Sequence, residues 1–323
     1  MSETLVSRTT YGSHDAATFA ITPSSTYSTD APEIVGKVRS VPIANSVLND
    51  ALAKWAKTQS LNIKQQLEFG TRYLDLRIEF SHDYKMWVVH SMKSMRLSDV
   101  FSQISRFAPK NDIVIVHIQK VFNISERAKV ELDKDINVLG ALSLCDNRSF
   151  EQNSPIGTSV KDGRTVFLVF PWKRDHASPF LCDACGYFDD DTIQNPWANA
   201  QTVQELLPKL VKFASERDAK KIFVLQNVVT PDSGMISDGV KGLLWLDKVK
   251  NVLSFGLSKT NYPTSIKSVV DRNRRGFIGI VNAIGQYNFT CNVVMLDFVD
   301  AYGPEMTAAI NELSRKWRKR QRM

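Results

Sequence analysis

Cysteine is scarce in this chain of 323 residues, which contains only four: Cys145, Cys182, Cys185 and Cys291. Four cysteines are too few to build a disulfide scaffold of this size. Cys182 and Cys185 form one C-x-x-C pair, and a structural zinc site needs a second pair of ligands at suitable spacing. His176 lies shortly before Cys182, so free or structural thiols and a metal site both stay open at this point.

Long hydrophobic runs are also missing, and no stretch approaches the 18 residues that a transmembrane helix requires. The first residues, MSETLVSRTTYGS, contain no apolar core of a secretory signal, so we expect a cytoplasmic protein. No G-x-G-x-x-G follows the first predicted strand, and we therefore expect no dinucleotide or other cofactor. The net charge of +7 is moderately basic and is compatible with anionic partners such as a phosphate ester or a membrane surface.

What the chain does contain is an alternation of short β-branched runs with stretches of helical spacing. The candidate strands are 71–80, 85–91, 112–121, 164–172, 220–229, 276–284 and 292–299. The candidate helices are 46–59, 62–70, 97–108, 202–217 and 304–321. Several runs are apolar on both faces, which is typical of buried parallel strands. The alternation predicts a parallel α/β fold, and a (β/α) barrel and an open doubly wound sheet both fit it.

Polar residues stand at or near the carboxyl ends of these strands, where the chemistry of a barrel is located. They are Asp75, Arg77, His90, Lys120, Trp172, Gln226 and Asp297. Because side chains alternate along a strand, Asp75 and Arg77 face the same side of YLDLRI. Arg77 there fits either a bidentate clamp on a phosphate or an internal ion pair.

Two of the five histidines stand out. His14 lies next to Asp15 in a loop that enters an apolar segment, and His90 ends the strand MWVVH. A nearby carboxylate fixes the tautomer of a histidine and stabilises its cation. Two histidines on separate segments can serve as a general base and a general acid, although each alone is equally compatible with a structural role.

The motifs together resemble the X-domain of phosphatidylinositol-specific phospholipase C, and in particular its stand-alone X-domain-containing subgroup. They are GSHDAATF (12–19), W-x-x-T-Q (55–59), I-x-x-Q-L-x-x-G-x-R-Y-L-D-L-R (63–77), VVH (88–90), LQNVVTP (225–231) and VVMLDF (293–298). The similarity runs in order from about residue 10 to 300. It implies a distorted, incompletely closed TIM (β/α) barrel of α/β class in one domain, residues 1–303, followed by a basic C-terminal helix or tail, 304–323.

The resemblance also implies a reaction, the cleavage of phosphatidylinositol or a related phospholipid through a cyclic phosphate. His14 would accept the proton of the inositol 2-hydroxyl, and His90 would protonate the leaving oxygen. Asp297 would orient His14, and Asp15 would orient His90. Calcium-dependent members have an acidic residue at the position of Arg77, so the resemblance implies a phosphoric diester hydrolase that needs no metal.

The head-group pocket departs from the family pattern. The substrate-binding candidates are Asp75, Lys120, Trp172 and Gln226. Bacterial members have D-K-Y after the late strand where this chain has Asn227, Val228 and Val229. The alternative hypothesis is therefore a catalytically weak lipid- or head-group-binding module on the same fold. A glycerophosphodiester phosphodiesterase is disfavoured, because that family has H-R and E-x-D where this chain has H-D and D-x-R.

The C-terminal stretch SRKWRKRQRM is strongly basic and is interrupted by Trp317. Such a stretch either docks on anionic lipid, with the tryptophan at the interface, or forms the solvated end of a helix. We expect the partners to be an anionic phosphodiester substrate and a phospholipid membrane surface that the protein contacts peripherally. We expect no nucleic-acid partner.

Overall fold

The computed structural model describes residues 8–31, 45–109, 112–139, 166–171, 187–189, 193–219, 221–232, 234–239 and 263–320. The strands are β1 (Thr10–Ser13), β2 (Thr71–Phe80), β3 (Met86–His90), β4 (Met92–Arg96), β5 (Val114–Phe122), β6 (Val166–Phe170), β7 (Tyr187–Asp189), β8 (Ile193–Gln194), β9 (Ile222–Gln226) and β10 (Val293–Leu296). The helices are α1 (Asn45–Ala56), α2 (Ile63–Phe69), α3 (Leu97–Phe107), α4 (Glu126–Val138), α5 (Val203–Ser215), α6 (Ile266–Gln286) and α7 (Pro304–Arg320). Short 3₁₀ turns lie at Thr18–Ala20 and Val299–Ala301.

The main sheet has the order β7-β6-β5-β2-β1-β10-β9-β8, and every neighbouring pair in it is parallel. Within the described residues, the end strands β7 and β8 do not pair with each other, so the sheet is not closed. The carboxyl ends of the parallel strands meet at one edge, where loops from distant parts of the sequence converge. The incompletely closed α/β barrel predicted from the sequence is confirmed.

The predicted strand 85–91 belongs to a hairpin rather than to the parallel order. β3 pairs antiparallel with β2, and β4 pairs antiparallel with β3. The turn before β3 contains Tyr84 in the left-handed region, with a φ of 59°. The hairpin carries His90 to the same edge of the sheet as the loops that follow β1 and β10.

The predicted strand 276–284 is wrong, because these residues lie inside helix α6. Its Ile and Val residues gave a local strand signal. However, the buried positions of this stretch recur at helical spacing: 277, 278, 280, 281, 284 and 285. Ser265 begins the helix with a capping box that also involves Ser268.

Helix α7 packs onto the barrel along its length. Its apolar residues Met306, Ile310 and Leu313 join the core formed by β9, β10, α5 and α6. The backbone N–H of Thr9, just before β1, donates to Ser314 Oγ at 2.9 Å. Trp317 is only 7% exposed and lies under the Arg217 guanidinium. The hypothesis that this tryptophan lies at a membrane interface is therefore wrong.

Glycine at position 12 lets β1 fit between its neighbours. A Cβ there would lie 2.5 Å from Val293 Cγ1 and 3.3 Å from the Met295 backbone. Such distances require the neighbours to move. The close approach of β1 to β10 places the residues that follow these two strands side by side.

Candidate active site

His14 and Asp297 meet because their strands are in register. Ser13 pairs with Leu296 across β1 and β10, so the next residue of each strand lies beside the other. His14 Nδ1 is 2.7 Å from Asp297 Oδ1, and the His14 backbone N–H donates to the Leu296 carbonyl at 3.1 Å. With Nδ1–H donated to the carboxylate, the neutral ring has Nε2 free to accept a proton.

Asp15 lies at the centre of the charged groups. Its Oδ2 is 3.2 Å from His14 Nε2 and 3.4 Å from His90 Nε2. Its Oδ1 is 3.4 Å from Arg77 Nε. The residue has a φ of 41°, a left-handed conformation that costs free energy outside glycine and is often found at functional sites. The structure thus brings Asp15 and His90 together as predicted, and Asp15 contacts His14 and Arg77 as well.

His90 is held from the other side of its ring by a group that the sequence did not indicate. His90 Nδ1 lies 2.7 Å from the carbonyl oxygen of Ala56, at the end of α1. A carbonyl can only accept, so Nδ1 carries the proton and Nε2 faces Asp15. The ring centroids of His14 and His90 are 6.0 Å apart.

The T-Q pair of the W-x-x-T-Q motif holds the loop after β1 against the loop after β10. Thr58 Oγ1 donates to the His14 carbonyl at 2.8 Å. Gln59 Nε2 donates to the same carbonyl at 3.0 Å and to the Leu296 carbonyl at 2.9 Å. Gln59 Oε1 accepts the Val299 N–H. One buried amide therefore links the loop after β1 to the loop after β10.

The charges of the site determine which groups hold protons. Burial lowers the pKa of His14, but the carboxylates of Asp15 and Asp297 outweigh burial and raise this pKa to about 9. Burial raises the pKa of Asp15, but Arg77, His90 and His14 together bring it below its usual range. The Asp15 carboxylate raises the pKa of Arg77. Burial and the neighbouring Asp15 raise the pKa of Asp75.

His14, Arg77, His90 and Asp297 line a cavity of about 230 Å³. The other walls are mainly apolar and include Leu52, Trp55, Trp197, Val229, Pro231, Ile236 and Ile266. Trp197 is 42% exposed, and its ring centroid lies 5.7 Å from that of His14. Trp197 comes from the segment between β8 and α5, where no motif of the sequence pointed to this cavity.

The predicted substrate-binding residues do not line this cavity in the described part of the chain. Asp75 is fully buried beneath it, and its Oδ2 accepts the Asp15 backbone N–H at 3.2 Å. Lys120 is exposed, with its Nζ 5.0 Å from the centre of the Phe122 ring. Gln226 Nε2 donates to the Asn195 carbonyl at 3.0 Å. Trp172 lies outside the described residues, and the binding roles of all four stay predictions.

Three donors in this site, from His14, Asp15 and Asp75, lie within 4.8 Å of one another, as metal ligands would. This donor set fits a divalent cation poorly. The Arg77 guanidinium already lies 3.4 Å from Asp15, and Asp75 accepts a backbone hydrogen bond. A cation at this point would also face a His14 ring whose pKa favours the protonated form.

The fold that carries this two-histidine cavity is the barrel of phosphatidylinositol-specific phospholipase C. The Listeria monocytogenes enzyme of that name superposes with a TM-score of 0.59 at 14% identity, covering 96% of this chain and 94% of that one. Mouse PI-PLC X domain-containing protein 2 is 25% identical over 301 residues, which is 90% of this chain and 77% of the relative. A variant-surface-glycoprotein phospholipase C from Trypanosoma cruzi is 21% identical over 311 residues, 90% of this chain and 79% of that protein.

No family model matches the chain. The resemblance inferred from the sequence motifs is nevertheless confirmed, because the chain is similar over most of its length to PI-PLC X domain-containing proteins. The structural neighbour at 14% identity bears on the fold alone.

Proposed function

We propose that this chain is a phosphoric diester hydrolase of the phospholipase C type, acting on phosphatidylinositol or a related phospholipid. The observation that carries the proposal is the arrangement of His14 and His90. Their rings lie 6.0 Å apart on one cavity, each held through Nδ1 and each with Nε2 toward Asp15. Two imidazoles so placed can act on opposite sides of one phosphate, with Arg77 beside it.

The proposed reaction begins with the substrate phosphate between the two rings. His14 Nε2 takes the proton of a hydroxyl vicinal to the phosphate ester, and that hydroxyl oxygen forms a bond to phosphorus. The bond from phosphorus to the diacylglycerol oxygen breaks, and His90, which enters this step as an imidazolium protonated on both ring nitrogens, gives its Nε2 proton to that oxygen. The products are a cyclic phosphodiester and diacylglycerol, and water can open the ring with the two roles reversed.

Asp297 and Arg77 support these steps electrostatically. Asp297 accepts the Nδ1–H of His14 and stabilises the imidazolium that forms when the ring takes the proton. Arg77 supplies a fixed positive charge for the oxygens of the phosphorane. This guanidinium fills the role that a bound cation would have, so the proposed reaction requires no metal.

The proposed substrate reaches the site from a membrane surface. No helix among the described residues combines the length and the apolar character needed to cross a bilayer. The apolar walls of the cavity, including Leu52, Val229 and Ile236, suit the glycerol and acyl parts of a lipid better than a second charged group. The protein would bind the membrane peripherally.

Diacylglycerol release from vesicles tests this proposal. The purified protein is incubated in EDTA with vesicles that contain phosphatidylinositol, phosphatidylcholine or phosphatidylethanolamine, beside His14→Asn and the control His82→Asn. His82 is an exposed histidine on the turn between β2 and β3. We expect release from an inositol lipid that His14→Asn abolishes and His82→Asn leaves intact. Vesicle binding without turnover of any lipid would favour the binding-module hypothesis instead.

A further inference from the structure

Residues 22–31 cross the β3–β4 hairpin next to the cavity, and we call them the strap. The Lys93 N–H donates to the Thr26 carbonyl at 2.8 Å, and the Ser28 N–H donates to the Ser91 carbonyl at 3.2 Å. The Thr29 N–H donates to Glu79 Oε2 at 2.6 Å. Three separate hydrogen bonds therefore hold the strap to β2 and to the hairpin that carries His90.

The strap places Asp30 under the turn that follows His90. Asp30 Oδ1 accepts the Ser91 backbone N–H at 2.9 Å, and the Ser28 hydroxyl donates to the same oxygen. Ser91 lines the cavity and has a φ of 58°, a conformation that a residue with a side chain adopts only when its surroundings hold it. The contact with Asp30 stabilises this conformation in the residue that directly follows His90.

The second oxygen of Asp30 faces Arg77. Oδ2 lies 3.9 Å from Arg77 Nη1, the side chain is only 10% exposed, and no group in the described part of the chain donates a hydrogen bond to Oδ2. Asp15 Oδ1 lies 3.4 Å from Nε of the same guanidinium. Arg77 is therefore flanked by two carboxylates, and a phosphate in the cavity must compete with both for its charge.

We propose that Asp30 is a positioning residue that acts through Arg77 and Ser91. The charge of Asp30 limits how tightly Arg77 binds a phosphate. Its hydrogen bond to Ser91 fixes the turn that orients the His90 ring. The assignment of Arg77 to a phosphate rests on the proposed function. A site that releases its anionic product needs such a limit, because a phosphate bound too tightly would slow turnover.

Binding of inorganic phosphate, followed by ³¹P NMR titration, separates the two effects of Asp30. Asp30→Asn keeps an acceptor for the Ser91 N–H and removes the charge, so phosphate should bind about three- to tenfold more tightly. In an Arg77→Met background, Asp30→Asn should change phosphate affinity less than twofold, as expected if the two residues act together. Unchanged or weaker phosphate binding in Asp30→Asn, or an equal gain without Arg77, would overturn the proposal.

The effect of Asp30 on the turn at Ser91 is measured by turnover, with folding of each variant checked. Asp30→Ala leaves the Ser91 N–H without its partner, and kcat should fall roughly 10- to 100-fold. Asp30→Asn keeps this partner, so its kcat should fall by no more than the about three- to tenfold that tighter product binding costs. The control Asp50→Asn removes an exposed carboxylate that pairs with Lys54 on α1, and it should change neither quantity. Asp30→Ser, which also offers an acceptor, replaces Asp30→Asn if that variant does not fold. Phosphate binding can be measured without turnover. An inactive wild type would therefore count against the proposed function, while the phosphate titration would still test the role of Asp30.

Discussion

His14 and His90 differ in what holds the second nitrogen of each ring. The Nδ1 of His14 faces the Asp297 carboxylate, whereas the Nδ1 of His90 faces the neutral carbonyl of Ala56. A carboxylate partner stabilises an imidazolium more strongly than a carbonyl does. The His14 ring therefore suits the step in which a proton is gained, and this asymmetry supports its assignment as the base.

The roles of His14 as base and His90 as acid can be separated by changing the leaving group of the substrate. A substrate whose leaving group is a thiolate or an aryl oxide needs no proton from the general acid. We expect His90→Ala to lower kcat about 10²–10⁴-fold on the natural alcohol ester and to recover most of this loss on the activated ester. His14→Ala should stay impaired on both esters. Recovery by His14→Ala and not by His90→Ala would reverse the two assignments.

The carboxylate on His14 should also appear in the pH profile. Since the pKa of His14 is about 9 and the base must be deprotonated, kcat/KM should rise with pH toward this value. Asp297→Asn removes a negative charge that raises this pKa, so the ascending limb should move to lower pH while the maximal rate falls. Steady-state rates across pH 5 to 10 measure both changes. A limb that stays in place would show that Asp297 does not act on the titrating group.

At the scale of elements, helix α7 extends in the direction away from the candidate active site. It has 17 residues, and Ser314 contacts Thr9 before the amino end of β1, whereas His14 follows the carboxyl end of that strand. Its last turns therefore lie near the opposite edge of the sheet from the cavity. Arg315 and Lys316 also pair with Glu312 on the same helix.

This placement predicts that the basic end of α7 does not dock the active site on a membrane. The double variant Arg318→Glu and Lys319→Glu should change vesicle binding and turnover less than about twofold, although each basic residue in contact with anionic lipid contributes roughly 1 kcal/mol. Vesicle sedimentation and the diacylglycerol assay measure the two quantities. A loss of binding near 100-fold would contradict this orientation of α7.

Elements with strong local signals could be predicted from the sequence. Strand 71–80 has its predicted bounds, and α2 ends at Gly70, which has a φ of 109°. The prediction for 276–284 failed because β-branched residues gave a strand signal locally, whereas the helical period extends over all of α6. A short window does not separate these two patterns.

The residues of the candidate site that belong to a sequence motif could be predicted from the sequence. His14, Asp15, Arg77, His90 and Asp297 come together in the structure, although their catalytic roles stay predictions. Asp30, Ala56 and Trp197 were not predicted as site residues. Asp30 and Trp197 belong to irregular segments without periodicity, and Ala56 contributes only a backbone carbonyl, so side-chain chemistry cannot reveal it.

At the scale of the whole molecule, the protonation of His14 makes the free energy of unfolding depend on pH. His14 has a pKa of about 9 in the folded protein and about 6.5 when unfolded, so the folded state binds its proton more tightly. The resulting stabilisation is fully present below pH 6.5 and is lost as pH rises through 9, and it amounts to about 3 kcal/mol. Denaturant unfolding between pH 6 and 10 should show this loss in the wild type and not in His14→Gln. An equal loss in the variant would assign it to other groups.

In the proposed function, two histidines act on one phosphate through a cyclic intermediate. The most direct measurement is a ³¹P NMR time course with phosphatidylinositol vesicles in EDTA, beside His14→Ala. We expect a new resonance at the position of a five-membered cyclic phosphate, present with the wild type and missing with the variant. An acyclic phosphomonoester that no cyclic phosphate precedes at any time point, or a signal that disappears in EDTA, would contradict this mechanism.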